Sequence, residues 1–182
     1  MAHPRVDQLR FARREFARGL EGLPAAVARH ELGQMNSISW IVGHLAWHEQ
    51  LSWLTRAQGI TPFPNLLELS ANGAPKSNPD YDEIWATWQN ICERSDPWLD
   101  ALTPAGLETV LSKPAGTPQT VGTSLLRMTY HYFVHIGEAS AVRQVVEGGR
   151  LPEFVGPIQV EAPWVPEPPA AAEALATDAA AG

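Results

Sequence analysis

Features that mark several common protein classes are missing from this sequence of 182 residues. It has a single cysteine, Cys92, so no disulfide can form within the chain, which suits a reducing compartment. No run of about 18 apolar residues occurs that would span a membrane. The first residues also lack the apolar segment of a secretory signal. We therefore expect a cytoplasmic protein with no membrane partner.

Positive charge is also scarce. Lysine and arginine number 13 against 20 aspartates and glutamates, for a formal net charge of -7. An acidic surface repels phosphate backbones, and no basic cluster interrupts it, so we expect no nucleic-acid partner. The fingerprints of serine hydrolases, P-loop proteins and dinucleotide-binding proteins are absent as well. A small-molecule substrate remains the expected ligand class.

What the sequence does contain is apolar periodicity of the helical kind, in four stretches. The predicted helices cover residues 5–20, 37–58, 81–101 and 120–146. The connections 59–79 and 103–119 are too long for tight hairpins and suit crossovers that run along the molecule. The pattern predicts an all-α fold: a four-helix bundle with long crossover connections.

The composition changes towards the end of the chain. Gly148 and Gly149 are expected to end the fourth helix, and proline and alanine dominate thereafter. We predict one bundle domain over residues 1–151 and a Pro/Ala-rich extension over 152–182, partly disordered. Its first part should be extended chain draped over the bundle. In the third helix, Pro97 should produce a kink or an end.

Histidines form the most informative pattern. Four of the six histidines make two i,i+4 pairs, His44 with His48 and His131 with His135. Residues four apart share one helix face, so two imidazoles can reach one ion. One helix face cannot surround a metal, so a further ligand must come from a second helix. Two such pairs in one small helical protein favour a metal site over ordinary buried histidines.

The residues around both pairs carry a family resemblance. The segment 39–47, SWIVGHLAW, resembles the second helix of DinB/YfiT-like proteins, and 131–138, HYFVHIGE, resembles their fourth helix. The resemblance spans roughly residues 5–150 and is specific only as a pair of motifs. It implies a four-helix bundle with long crossovers and, often, a homodimer.

The resemblance also implies a ligand set and a chemistry. One divalent metal would be held by His44, His131 and His135, and the ligand type leaves Zn, Ni, Fe and Mn open. Known members include thiol-dependent S-transferases and mycothiol-dependent maleylpyruvate isomerases. The isomerases use a glutamate where His131 stands here, and the related sulfoxide synthases carry a large second domain. The thiol S-transferase therefore fits best, with a low-molecular-weight thiol as co-substrate.

Further residues are candidates for the same site. His48 could be a fourth ligand, a base or a pocket-lining residue. Glu138 could act as a general base or form a structural ion pair. Trp40, one turn before His44, could form a wall of the pocket, and Arg127 could bind a substrate carboxylate. Cys92 has little near it in sequence to lower its pKa, so we interpret it as a packed thiol.

Alternatives to a thiol transferase stay open at this point. A metal-dependent hydrolase would use water in place of the thiol. A non-enzymatic, stress-response protein that binds a metal or small ligand would have a closed site, completed by His48. A purely structural metal is the least favoured of these interpretations, because the core is apolar enough to hold without it.

Overall fold

The computed structural model describes residues 2–111 and 118–166, and their regular secondary structure is helical apart from one short strand pair. This confirms the predicted all-α fold class. The helices are α1 (Pro4–Gly19), α2 (Ala25–Ala28), α3 (Ile38–Glu49), a π-helix (Gln50–Arg56), α4 (Leu66–Ser70), α5 (Tyr81–Asp100), α6 (Pro104–Leu107), α7 (Val121–Glu147) and α8 (Ile158–Glu161). The strands β1 (Val110–Leu111) and β2 (Gln119–Thr120) pair antiparallel just before α7.

Side-chain caps fix where the long helices begin. Ser37 accepts a hydrogen bond from the Trp40 amide at the start of α3, and Thr120 accepts one from the Thr123 amide at the start of α7. These bonds satisfy amides that have no partner within the helix. At the other end of α7, Gly148 adopts a left-handed conformation with φ of 66°, which glycine tolerates best. The predicted boundaries of this helix are within a residue of those observed.

The four long helices bury one apolar core. Helix α1 packs against α7, α3 packs against α5, and α3 also contacts α7. Fully buried side chains from all of them meet in its centre, among them Leu9, Phe16, Leu45, Ile91 and Leu125. The contact between α3 and α7 is the one that brings the two histidine pairs together. None of the described helices is long and apolar enough to cross a membrane.

Two helices differ from the simple prediction. The second predicted helix is α-helical only to Glu49 and then continues as a π-helix over Gln50–Arg56, which sequence periodicity does not reveal. Such wider turns often occur at functional sites. In α5, Pro97 does not end the helix, which continues to Asp100.

The crossover between the second and third long helices contains the short helix α4, which packs on α3. Gly43 permits this approach, because a Cβ there would collide with Ser70 Oγ and lie 3.1 Å from Ile84 Cγ1. The cost of a glycine inside a helix is thus offset by close packing of the crossover. This contact also reaches the candidate site, as described below.

The described part of the C-terminal segment lies along α1. Glu161 pairs with Arg14 and Arg18, and the amide of Val155 donates to Glu15 Oε2. The draped path is therefore present, although it includes the short helix α8. The boundary at residue 151 stays a prediction, and the expected disorder near the C-terminus falls on 167–182, outside the described residues.

Candidate metal centre

Helices α3 and α7 bring four imidazoles into one cluster. The ring centroid of His44 lies 4.8 Å from that of His48, 5.1 Å from that of His131 and 5.2 Å from that of His135. The His131 ring lies 4.4 Å from the His48 ring and 4.6 Å from the His135 ring. Both i,i+4 pairs thus face each other across the contact between the helices, so the second helix supplies the further donors that one helix face cannot.

Two overlapping trios of histidines can be drawn from this cluster. One ring nitrogen each from His44, His48 and His131 lies within 4.8 Å of the other two. In the trio that the family resemblance implies, His135 replaces His48, and its Nε2 lies 3.0 Å from His131 Nε2. His44 and His131 belong to both. Three histidines are therefore close enough to hold one metal ion, and the choice between His48 and His135 stays a prediction.

Hydrogen bonds hold the ring of one histidine on each helix. His44 Nδ1 donates to the carbonyl oxygen of Ser70, at 2.8 Å, through the contact that Gly43 permits. His135 Nδ1 lies 2.9 Å from Glu138 Oε2, and Glu138 also accepts a hydrogen bond from Asn36. When Nδ1 carries the proton, Nε2 keeps its lone pair, which is the state that a metal ligand needs. Both rings are oriented in the way typical of metal-bound histidines.

The environment also favours the neutral form of three imidazoles, those of His44, His48 and His131. Burial, with the nearby His131 and His44, lowers the pKa of His48 to about 2. Burial and the neighbouring His135 lower the pKa of His131 to about 3, and burial is the main cause of the lowered pKa of His44. Since a protonated imidazole cannot bind a metal, these shifts favour ligands at neutral pH.

The residues present fit a divalent metal. All the donors are imidazole nitrogens, which suit Zn, Ni, Fe and related ions. Two nitrogens each about 2.1 Å from a tetrahedral zinc ion would lie roughly 3.4 Å apart, so the 3.0 Å between His131 Nε2 and His135 Nε2 would have to widen by a few tenths of an ångström. Two lone pairs at this distance repel each other unless a proton or a cation lies between them. A bound cation would remove this repulsion.

A cavity of about 340 Å³ adjoins the cluster. His44, His48 and His131 line it together with Arg127, which the sequence places near the pocket. Trp40 does not line this cavity; instead it stacks on the His44 ring, with centroids 4.6 Å apart and planes 12° apart. The histidine cluster is thus accessible to a small molecule on the cavity side.

Arg56 also lines this cavity and was not predicted from the sequence. A signal for it exists, because His44, His48, Ser52 and Arg56 recur at every fourth position. In an ideal α-helix, about 100° per residue would carry Arg56 roughly 120° away from His44. The π-helix over Gln50–Arg56 has wider turns, which reduces this drift and keeps Arg56 on the same side.

The two residues predicted to be catalytic occupy different surroundings. His48 lines the cavity and belongs to one of the trios. Glu138 is not among the lining residues, and its pKa is lowered chiefly by the hydrogen bond with His135. This contact favours a role in orienting His135 over a role as general base. Both catalytic assignments stay predictions.

Comparison with known proteins agrees with the fold. An all-α chain with clustered histidines on two packed helices is the class defined so far. A family model described as the DinB superfamily matches residues 8–139, which is more than half of the chain. The chain belongs to the DinB superfamily.

One solved structure shows the same fold. It is titled "Crystal structure of the conserved protein of locus from Enterococcus faecalis" and superposes with a TM-score of 0.59. The match is 17% identical in sequence and covers 82% of this chain and 99% of the other. At this identity it supports the fold alone. No curated protein matches the chain significantly.

Proposed function

We propose that this protein is a metal-dependent enzyme that transfers a small thiol to an electrophilic small molecule. The observation that supports this most directly is the position of the histidine cluster in the wall of a cavity. A metal held only for structure needs no such access, whereas a catalytic one must be reached by its substrate. The neutral state of His48 and His131 supplies ligands without a competing proton.

The chemistry requires a thiolate at neutral pH. A divalent metal, when bound, acts as a Lewis acid that lowers the pKa of a thiol bound to it. The bond between the thiol sulfur and the electrophilic carbon would form as the bond to the leaving group breaks, and the leaving group would depart with the electron pair. The thiol proton passes to solvent. His44 and His135, held by Ser70 and Glu138, keep the site in one geometry during these steps. A metal-dependent hydrolase would differ only in using water.

A second candidate function is a non-enzymatic metal-binding protein. The position of His48 favours this function, because one of its ring nitrogens lies within 4.8 Å of a ring nitrogen of His44 and of His131. If His48 joined the other three histidines as a ligand, four protein donors would close the site to substrate.

Metal content is the first experiment. The purified chain, His131→Ala, His48→Ala and His30→Ala would be measured by elemental mass spectrometry after exposure to Zn and Ni. His30 is exposed and outside the cluster, so its variant is the matched control. We expect about one metal per chain, lost in His131→Ala and retained in the other two. No metal in the wild-type chain would contradict the proposal.

Activity separates the two candidates. The metal-loaded chain would be assayed for conjugation of small thiols to a chromogenic chloroarene, beside His131→Ala and His30→Ala. Turnover that disappears in His131→Ala alone supports the transferase. A metal lost in His48→Ala, together with no turnover in wild type, supports the binding protein. The homodimer implied by the resemblance stays a prediction that sedimentation velocity would test.

A further inference from the structure

The cavity beside the histidines is cationic, although the chain as a whole is acidic. Arg56 and Arg127 both line it, and no aspartate or glutamate of the described residues does so. The remaining polar lining consists of neutral hydrogen-bonding groups, from Ser52, Asn72, Gln119 and Ser124. With a formal net charge of -7, a cavity free of carboxylates departs strongly from the rest of the molecule.

These arginines also differ from most others in what they bind. Arg10, Arg13 and Arg14 each pair with at least one carboxylate. Within residues 2–111 and 118–166, neither Arg56 nor Arg127 forms an ion pair. The Nε of Arg56 is buried and has no hydrogen-bond partner there. A buried donor without a partner is costly, and a ligand that accepted a hydrogen bond from it would remove this cost.

Both arginines line the same cavity, so one ligand in it could contact both of them. Burial lowers the pKa of Arg56, and the charge of Arg127 contributes to the same shift. Two cations held near each other without a counter-ion repel, and an anion between them removes that repulsion. Planar guanidinium groups match the geometry of a carboxylate through paired hydrogen bonds.

We propose that Arg56 and Arg127 form an anion subsite that binds a carboxylate of a small acid substrate beside the histidine cluster. This inference rests on the proposed function, because it names the class of molecule that the metal centre would act on. The π-helix contributes to the subsite by keeping Arg56 on the side of α3 that carries His44 and His48. Arg56 and Arg127 position the substrate and take no part in bond making.

The test uses an acid and its neutral analogue. Binding of succinate and of succinamide to the zinc-loaded chain would be measured by isothermal titration calorimetry, for wild type, Arg56→Gln, Arg127→Gln and Arg94→Gln. Arg94 is exposed on α5 and outside the cavity, so its variant removes the same charge elsewhere. Arg127 is exposed, so its replacement needs no repacking and guards against a folding defect in Arg56→Gln.

We expect succinate to bind wild type and Arg94→Gln alike, and about tenfold or more weakly in Arg56→Gln and in Arg127→Gln, the usual effect of losing a charge-assisted hydrogen bond. Succinamide should bind none of them measurably. Equal succinate affinity in all four proteins, or equal binding of acid and amide, would overturn the inference.

Two further measurements show which substrate carries the carboxylate and test metal binding separately from anion binding. Affinities for 3-mercaptopropionate and 2-mercaptoethanol would be compared in wild type and Arg127→Gln. A preference for the acid thiol that disappears in Arg127→Gln places the carboxylate on the thiol; no preference, with succinate still bound, places it on the electrophile. Metal content is measured in every sample. Succinate binding without metal uptake would support the anion subsite and refute the proposed function. Metal uptake without succinate binding would refute the anion subsite and leave the proposed function intact.

Discussion

Helices α3 and α7 carry two neighbouring polar clusters, one beside the cavity and one in the core. The two clusters differ in how their hydrogen bonds are satisfied. His48 and His131 face the cavity, while the next residues in sequence, Glu49 and Tyr132, are fully buried in the core. Adjacent residues on a helix point about 100° apart, so the same two helices serve both clusters. The two clusters are therefore carried by the same two helices, but their side chains have different hydrogen-bond partners.

The core cluster is closed. Both carboxylate oxygens of Glu49 accept hydrogen bonds from Arg13, at 2.8 and 2.7 Å, and Oε1 also accepts the Tyr132 hydroxyl at 2.7 Å. Trp88 Nε1 donates to that hydroxyl in turn, at 2.8 Å, and Arg13 reaches Ser95. Nearby, burial raises the pKa of the Cys92 thiol, which agrees with a packed and unreactive cysteine. This cluster has little bonding capacity left for a ligand.

The cavity cluster is the opposite case. The Nε2 atoms of His131 and His135 lie 3.0 Å apart with no partner from outside the cluster, and Arg56 keeps a buried donor without a partner among the described residues. Burial alone does not distinguish a functional group from a structural one, since both clusters are largely buried. What distinguishes them is the hydrogen-bonding capacity that remains unused.

The largest expected effect is the loss of stability when the core cluster is disrupted. Glu49→Ala would remove the fully buried partner of Arg13 and leave only the contact with the partly exposed Asp96, at 3.0 Å. Loss of one partner of a buried ion pair costs about 3–5 kcal/mol. Chemical denaturation of metal-free protein should show this loss, while Glu93→Ala, at an exposed position on the neighbouring α5, should change stability by less than about 0.5 kcal/mol.

His131→Ala supplies the other half of that comparison. It should abolish metal binding while leaving the metal-free chain about as stable as wild type. If Glu49→Ala and His131→Ala destabilised the metal-free protein equally, the division into a structural and a functional cluster would be wrong.

Much of this arrangement could be predicted from the sequence, because helical periodicity is a local signal. The four long helices follow from apolar spacing, and the i,i+4 spacing places each histidine pair on one helix face. That the two faces meet is implied only by the family resemblance. The ion pair of Arg13 with Glu49 could not be predicted, since the two residues are 36 positions apart and nothing local links them.

The π-helix could not be predicted either. Apolar residues such as Trp53 and Leu54 continue through it, so the periodicity shows no interruption. Its consequence, the position of Arg56 in the cavity, depends on a change in rotation per residue that composition does not encode. The role of Gly43 was only partly visible: a glycine inside a helix suggests a close approach, but the partner, Ser70, lies across a crossover.

Gly43→Ala is expected to have the next largest effect. The added methyl would push Ser70 away from α3, and overpacking of this kind costs about 1–3 kcal/mol. It would also disturb the carbonyl that accepts from His44 Nδ1, so metal affinity should fall in the same variant. Thermal denaturation and zinc titration measure the two effects.

The double variant Gly43→Ala/Ser70→Gly tests the cause. Removing the Ser70 side chain frees space for the methyl while keeping the backbone carbonyl, so both stability and metal affinity should recover in large part. Full metal affinity in Gly43→Ala alone would show that the Ser70 contact does not orient His44.

The smallest effect concerns Glu138, and it decides between the two roles considered for this residue. If Glu138 orients His135, then Glu138→Gln should weaken zinc binding by about tenfold or more, which is typical when a carboxylate behind a metal-bound histidine is lost. Because Glu138 is half-buried near the surface of the cluster, stability of the metal-free chain should change little. A competition titration with a chromogenic chelator measures the affinity, with Glu147→Gln at the end of α7 as the control. If zinc binding were unchanged while thiol transfer was lost, Glu138 would be the general base. Its carboxylate would then act on the substrate, and its hydrogen bond with His135 would not be needed to orient that ligand.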